Sequence, residues 1–244
     1  MRLTQVKKNY ELMSLAATKL IMEELSRKPD LLLCAASGST PTLTYKLLSE
    51  KKQTLPNLFK KMRILKLDEW NGMEMDDPTT CEVYLQKNLI KPLEISEDRY
   101  ISFSSNSKNP ELECKIIHKK LCAHGPIDFC VLGLGMNGHV GLNEPAKELM
   151  PFSHVVHLSA ESQKHLMLKK LPIKPVYGLS LGIAEIFSAK KILLLISGEN
   201  KNSAMRRLFT KKISTQFPAS LLWLHHNAIC LCDEEAAYGI DVNV

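Results

Sequence analysis

The 244-residue chain is 45% hydrophobic and 24% charged, with a formal net charge of +6, a composition ordinary for a globular protein with a sizeable core. No apolar run reaches the roughly 18 to 20 residues that a membrane span needs, and the lysines come as scattered pairs, such as Lys60-Lys61 and Lys169-Lys170, without interleaved aromatics. Solvated helix faces are therefore preferred to a nucleic-acid surface, while a mild positive field still favours a small anionic substrate.

Taken in chain order, residues 5 to 27 place Val6, Tyr10, Met13, Ala17 and Leu20 at steps of three and four, which predicts an N-terminal amphipathic helix and not a signal peptide. Apolar runs of strand length follow at 31 to 36, 62 to 67, 128 to 133, 154 to 158, 191 to 197 and 228 to 232, with helical stretches such as "ELECKIIHKKL" between most of them. Strands alternating with helices predict an α/β fold with a largely parallel sheet, whose strands lack polar alternation because helices cover both faces. No repeat or Gly/Ser linker divides the sequence, so residues 1 to 244 are read as one domain. The stretches "NGMEMDDPTTCEVY" and 145 to 153 are the irregular segments expected to form flaps.

Seven cysteines, an odd number with no Cys-x-x-Cys spacing, indicate a reducing compartment, and the expected location is the cytoplasm. Cys230 and Cys232 alternate along an expected strand and share a face; without a second ligand pair they are read as buried small hydrophobes, not a metal site.

In open parallel sheets, ligands bind beyond the carboxyl ends of strands. Four stretches with chemical potential sit there. "SGSTP" puts the hydroxyls of Ser37, Ser39 and Thr40 around Gly38 at a helix start, which suits either an anion cradle or a side-chain helix cap. "KLDEW" ends a strand in Asp68, a candidate general base or, taken alone, a surface turn acid. "GLGMNGHVGLNEP" projects His139 from a glycine-rich loop with Glu144 five residues on, where it could orient or charge-couple the imidazole. "SGENK" sets Lys201 in the first turn of a helix, where a bound anion would offset its unfavourable position on the dipole; the plain alternative is a solvent-pointing lysine.

In this order and over nearly the whole chain, these segments resemble the glucosamine-6-phosphate deaminase/isomerase family, within a group that includes 6-phosphogluconolactonase. The resemblance implies a doubly wound, Rossmann-like sheet flanked by helices. It also implies a hexosamine 6-phosphate substrate, no metal or organic cofactor, no nucleic-acid or membrane partner, and a state anywhere from monomer to homo-oligomer. Ser37, Gly38, Ser39, Thr40 and Lys201 would hold the phosphate, and Asp68, Asn137, His139 and Glu144 would be the catalytic set. "LNEP" favours deaminases over lactonases, and "TCEVYLQ" with "PASLLWLHHNAICL" is most similar to the branch that converts galactosamine 6-phosphate to tagatose 6-phosphate and ammonia. A glucosamine-6-phosphate deaminase, a lactone hydrolase and a non-catalytic sugar-phosphate sensor remain the alternatives.

Three departures from the family pattern stand out. Glucosamine-type members have aspartate where this chain has Asn137, and an amide can orient an imidazole without stabilising its charged form. The charged residues of allosterically controlled members are missing from "PFSHVVHL", so activation by an N-acetylated sugar phosphate is not expected. The family's phosphate arginine has no counterpart in "LSAESQKHLML", which leaves Lys164 or His165 in its place.

Overall fold

A computed structural model describes residue 1 and residues 3–169, 171–172 and 174–242; Lys170 of the pair noted above lies outside them. Ten strands are described: β1 (Leu3–Lys7), β2 (Leu32–Ala35), β3 (Arg63–Lys66), β4 (Asp68–Trp70), β5 (Tyr100–Ile101), β6 (Phe129–Gly133), β7 (His154–His157), β8 (Tyr177–Ser180), β9 (Lys191–Ile196) and β10 (Ala228–Asp233). The helices are α1 (Tyr10–Arg27), α2 (Ser39–Thr54), α3 (Cys81–Leu85), α4 (Pro110–His124), α5 (Ile183–Phe187), α6 (Asn202–Leu208) and α7 (Glu234–Ala237). Among the described residues no helix is long and apolar enough to cross a membrane.

Seven strands form one sheet in the order β1-β10-β9-β6-β2-β3-β5, every neighbouring pair parallel. Successive residues face opposite ways, and both faces are covered. Leu33, Ala35, Val131 and Leu193 pack against Met13, Ala17, Ile21 and Leu25 of α1 and Tyr45 and Leu48 of α2. Cys34, Cys130, Leu132 and Leu194 pack against Cys114, Ile117 and Leu121 of α4 and Ala204, Met205 and Leu208 of α6. This is the doubly wound α/β arrangement. Cys230 and Cys232 share the second of these faces and are fully buried, as small hydrophobes would be.

The N-terminal expectation needs correction. Residues Leu3–Lys7 are not helical; they form the edge strand β1, paired with β10, and helix α1 starts only at Tyr10. The Asn9 side chain accepts a hydrogen bond from the Leu12 amide and so caps that start. The run 154 to 158 is a strand, but outside the main sheet. β7 pairs antiparallel with β8, and β8 antiparallel with β4, in a separate three-stranded sheet. A small core of Trp70, Cys81, Leu142, Val156, Leu158 and Leu168 belongs to this region. The segment 71 to 84 is irregular only in its first part, because α3 begins at Cys81, capped by Thr80.

The strand order reverses between β2 and β6: the chain runs outward through β3 and β5 on one side, and through β9 and β10 on the other. A crevice outside the carboxyl ends of strands at such a switch point is where α/β sheets bind ligands.

Candidate active site

A cavity of about 360 Å³ opens at that switch point, and loops after β2, β3, β6 and β9 all reach it. Ser37, Gly38, Ser39, Thr40, Asp68, His139 and Lys201 line it, so the sequence motifs converge on one space. Asn137 and Glu144 stand behind His139, as its hydrogen-bond chain shows.

The loop after β2 supplies the start of α2. Gly38 is the residue before its first turn, and no side chain caps the helix; the capping alternative for Ser39 or Thr40 therefore fails. An uncapped 16-residue helix leaves its first N–H groups and the positive end of its dipole facing the cavity. Lys201 ends a short 3-10 turn, Glu199–Lys201, just before α6. It does not point to solvent: it lines the cavity and its Nζ donates to the Leu134 carbonyl at 2.7 Å. Its loop is anchored from below, since Ser197 Oγ and the Gly198 amide both donate to Asp233.

Asp68 is 9% exposed, not a surface turn acid. Burial, reinforced by the neighbouring Glu69 carboxylate and only partly offset by Lys66 and Cys81, pushes its pKa up to about 7. Adjacent Glu69 faces a different task. Its Oε1 accepts from the amides of Trp70 and Cys81, and its Oε2 accepts from the Glu82 amide and from Lys66 Nζ at 2.8 Å. Lys66 also donates to Glu82 Oε2 at 2.7 Å, and Tyr100 and Gln86 complete that carboxylate's partners. Lys66, fully buried, is held charged by these two glutamates. The result is a satisfied ionic network that fixes β4 and α3 and leaves Asp68 as the acid presented to the cavity.

Around His139 the protonation pattern can be deduced. Asn137 Nδ2 donates to Glu144 Oε2 at 2.7 Å, and a carboxylate admits only a donor there, so the amide oxygen is the end that faces His139. That oxygen lies 2.8 Å from His139 Nδ1 and also accepts the His139 backbone N–H at 3.1 Å. Nδ1 must then carry the proton, which leaves Nε2 with a free lone pair. Burial is the main cause that lowers the imidazole's pKa, with Lys201 acting the same way against Glu144 and Glu161. A neutral ring with a basic Nε2 is suited to accept and return a proton. Glu144 orients the histidine through Asn137 and not directly, its Oε2 being 3.8 Å from Nδ1, and Ser159 Oγ holds its other oxygen at 3.1 Å.

The loop's glycines matter most at two positions. A Cβ at Gly135 would sit 2.4 Å from the His139 ring. At Gly138 the backbone has φ +90° and a Cβ would lie 2.1 Å from the Phe217 ring, while the Gly138 carbonyl accepts from the Ala219 amide. Gly138→Ala combines left-handed strain with overpacking, and a loss of about 2 to 6 kcal/mol in stability is expected from a denaturation curve.

His165, Glu161, Ser162 and Trp70 also line the cavity, and only His165 was named from the sequence as a ligand substitute. The His165 Nδ1 accepts from the Met167 amide at 3.3 Å, so its proton sits on Nε2, beside Gly38. Burial, then His139 and Lys201, push its pKa down to about 4. Lys164 reaches the rim, its side chain 71% exposed and loosely paired with Glu161 at 3.8 Å.

The profile described as glucosamine-6-phosphate isomerases/6-phosphogluconolactonase matches residues 9–231. The chain is 42% identical over 223 residues to AgaI of Escherichia coli strain K12, a provisionally assigned deaminase, covering 91% of this chain and 88% of that one. It is 34% identical over 230 residues to glucosamine-6-phosphate deaminase 1 of Bacillus subtilis strain 168, covering 93% and 95%. A solved monomeric glucosamine-6-phosphate deaminase superposes with a TM-score of 0.90 at 33% identity over 97% of this chain and 99% of that one. The 6-phosphogluconolactonase of Leishmania guyanensis, at 20% identity and TM-score 0.80 over 99% and 100%, shares the fold. The chain belongs to the glucosamine-6-phosphate isomerase/6-phosphogluconolactonase family.

Proposed function

We propose that this protein deaminates and isomerises a hexosamine 6-phosphate, with galactosamine 6-phosphate going to tagatose 6-phosphate and ammonia as the first assignment. The observation that carries the reading is the pairing of a neutral histidine locked with Nε2 free and a buried carboxylate with its pKa at about 7, on one cavity with an uncapped helix start. Those are the groups that ring opening, proton transfer at carbon and phosphate binding require.

The 6-phosphate sits against the start of α2, with Ser39, Thr40, Lys201 and the Nε2–H of His165 as donors, so that remote binding energy orients the sugar. His139 Nε2 takes the proton of the anomeric hydroxyl and returns it to the ring oxygen as the C1–O5 bond breaks. In the open-chain amino aldehyde, C2 is acidic because the carbonyl delocalises the charge. Asp68 removes the C2 proton as O1 takes one, which gives an enolamine, and then delivers its proton to C1 as the nitrogen gives one up, which leaves a ketose imine. Water adds to C2, the C2–N bond breaks, and ammonia leaves with the ketose 6-phosphate.

The second reading, glucosamine 6-phosphate to fructose 6-phosphate, is favoured by the names of the Bacillus subtilis relative and of the solved monomeric deaminase. Ammonia release from both amino sugar phosphates, measured beside acid release from 6-phosphogluconolactone, separates the readings. The expected result is kcat/KM at least about tenfold higher for the galactosamine substrate, the discrimination one well-used hydroxyl contact supplies. A preference of that size for glucosamine 6-phosphate selects the second reading. Turnover of the lactone alone, or binding without any turnover, refutes both.

A further inference from the structure

We propose that Cys81 is a positioning residue for the reaction, its thiol joining the phosphate-side loop at Ser37 to the proton-transferring carboxylate of Asp68. The inference rests on the functional reading above. It stands on a hydrogen-bond chain that crosses from one loop to another: Ser37 Oγ donates to Cys81 Sγ at 3.0 Å, and Cys81 Sγ donates to Asp68 Oδ1 at 3.8 Å.

The direction of the chain follows from its members. A sulfur that accepts a hydrogen bond from Ser37 keeps its own S–H free to donate, and among the described residues its acceptor is the Asp68 carboxylate, which must accept when ionised. Cys81 is itself immobile. It is 1% exposed, it opens α3, and its backbone N–H is bound by Glu69 Oε1 at 2.9 Å, so one residue grips two consecutive acids of β4 in different ways. Ser37 and Asp68 both line the cavity, so a bound substrate meets this chain at its two ends, with the thiol between them. A thiol is suited to the middle position because it is a weak donor: it orients the carboxylate without stabilising its charge enough to spoil a base.

Among the described residues, few other charged or titratable groups act on Asp68. Glu69 and Lys66 act on it from the same stretch of chain, and Lys66 is shared with Glu82; Cys34 of β2 and Tyr45 of α2 feel its charge from the core side. Cys81 is the donor to its side chain that comes from another element. Burial and Glu69 raise the pKa of Asp68, and the thiol works against them.

The test compares Cys81→Ala and Cys81→Ser with wild type in the pH profile of kcat, which reports the enzyme–substrate complex and leaves substrate ionisation in solution aside. Loss of the donor in Cys81→Ala should move the acid limb upward by about half a pH unit, the size expected for one weak hydrogen bond. Competitive inhibition by inorganic phosphate should be unchanged, and Cys81→Ser, which keeps a donor, should return the limb to the wild-type position or below it. A limb that stays in place in Cys81→Ala, or moves equally in both variants, overturns the proposal. Infrared difference spectra give a readout independent of turnover. The S–H band that disappears in Cys81→Ala should shift as Asp68 titrates and stay fixed in Asp68→Asn; a pH-invariant band overturns the contact. A wild type inactive on every hexosamine phosphate refutes the functional reading, and the S–H band still decides the contact.

Discussion

Asp68→Asn is expected to abolish deamination while making the protein more stable at neutral and alkaline pH. Loss of a proton-transferring carboxylate removes about 10²- to 10⁴-fold of rate, and an amide cannot take the C2 proton at all. The stability gain follows from the same burial that tunes the base. Asp68 has its folded pKa raised to about 7 from an ordinary carboxylate value, so the folded state holds a proton that the unfolded chain gives up at about pH 4. Between those values the unfolded state binds fewer protons, and stability falls as pH rises. The penalty is absent below about pH 4, grows through the window, and is complete above about pH 7, where about three pH units correspond to at most about 4 kcal/mol. Asn carries no such penalty. Melting curves of the two proteins should coincide near pH 4 and separate progressively to pH 8, with the variant higher, while inhibition by inorganic phosphate is retained. Near-normal turnover in Asp68→Asn rules out its role as base, and equal melting at pH 8 rules out the raised pKa. The wild-type rate should fall on the acid side with a midpoint near pH 7.

Why a stable core tolerates this acid is written in the neighbouring network, and that network was the part least visible in the sequence. "KLDEW" displays Lys66, Asp68 and Glu69 together, but not that Lys66 turns to Glu69 and Glu82 while Asp68 turns to the cavity. Glu82 lies 16 residues from Lys66 in the chain, and no periodicity connects them. By contrast, β2, β3, β6, β9 and β10 were legible because strands covered on both faces must be continuously apolar, as Leu32–Ala35 and Lys191–Ile196 nearly are. Edge strand β1 was not. It pairs on one side only, leaves Leu3 and Val6 exposed, and its apolar spacing runs without interruption into the helical pattern of α1. Of the small sheet only the run that became β7 was legible: "YGLS" of β8 has no apolar run, and it pairs with β4, far away in sequence, as well as with β7. The site motifs were readable because turn chemistry is local. That Asn137 and Glu144 could orient His139 was readable; that the amide stands between ring and carboxylate is a matter of geometry.

That amide shapes the second large expected effect, in His139→Gln. The Glu144 carboxylate fixes Asn137, Asn137 fixes the Nδ1–H tautomer, and burial keeps the ring neutral, so His139 offers Nε2 as a base without first having to lose a proton. A glutamine in its place has no group that can accept and return a proton near neutrality. Turnover of the cyclic sugar should fall by about 10²- to 10⁴-fold, the usual worth of general acid–base catalysis. Asp68, however, is untouched and still competent on any open-chain molecule that arrives. At high enzyme concentration, His139→Gln should therefore release ammonia in two phases: a burst equal to the open-chain fraction of the substrate, then a slow phase set by spontaneous ring opening and independent of how much enzyme is present. Asp68→Asn should give neither phase. A His139→Gln rate that stays linear in enzyme concentration with no burst would place the histidine in the carbon proton transfer and remove ring opening from its role. The two variants are thus expected to divide the proposed reaction at the aldehyde, because each of the two groups is tuned by a different neighbourhood: Asp68 raised towards neutrality by burial beside Glu69, and His139 held neutral by burial behind an amide.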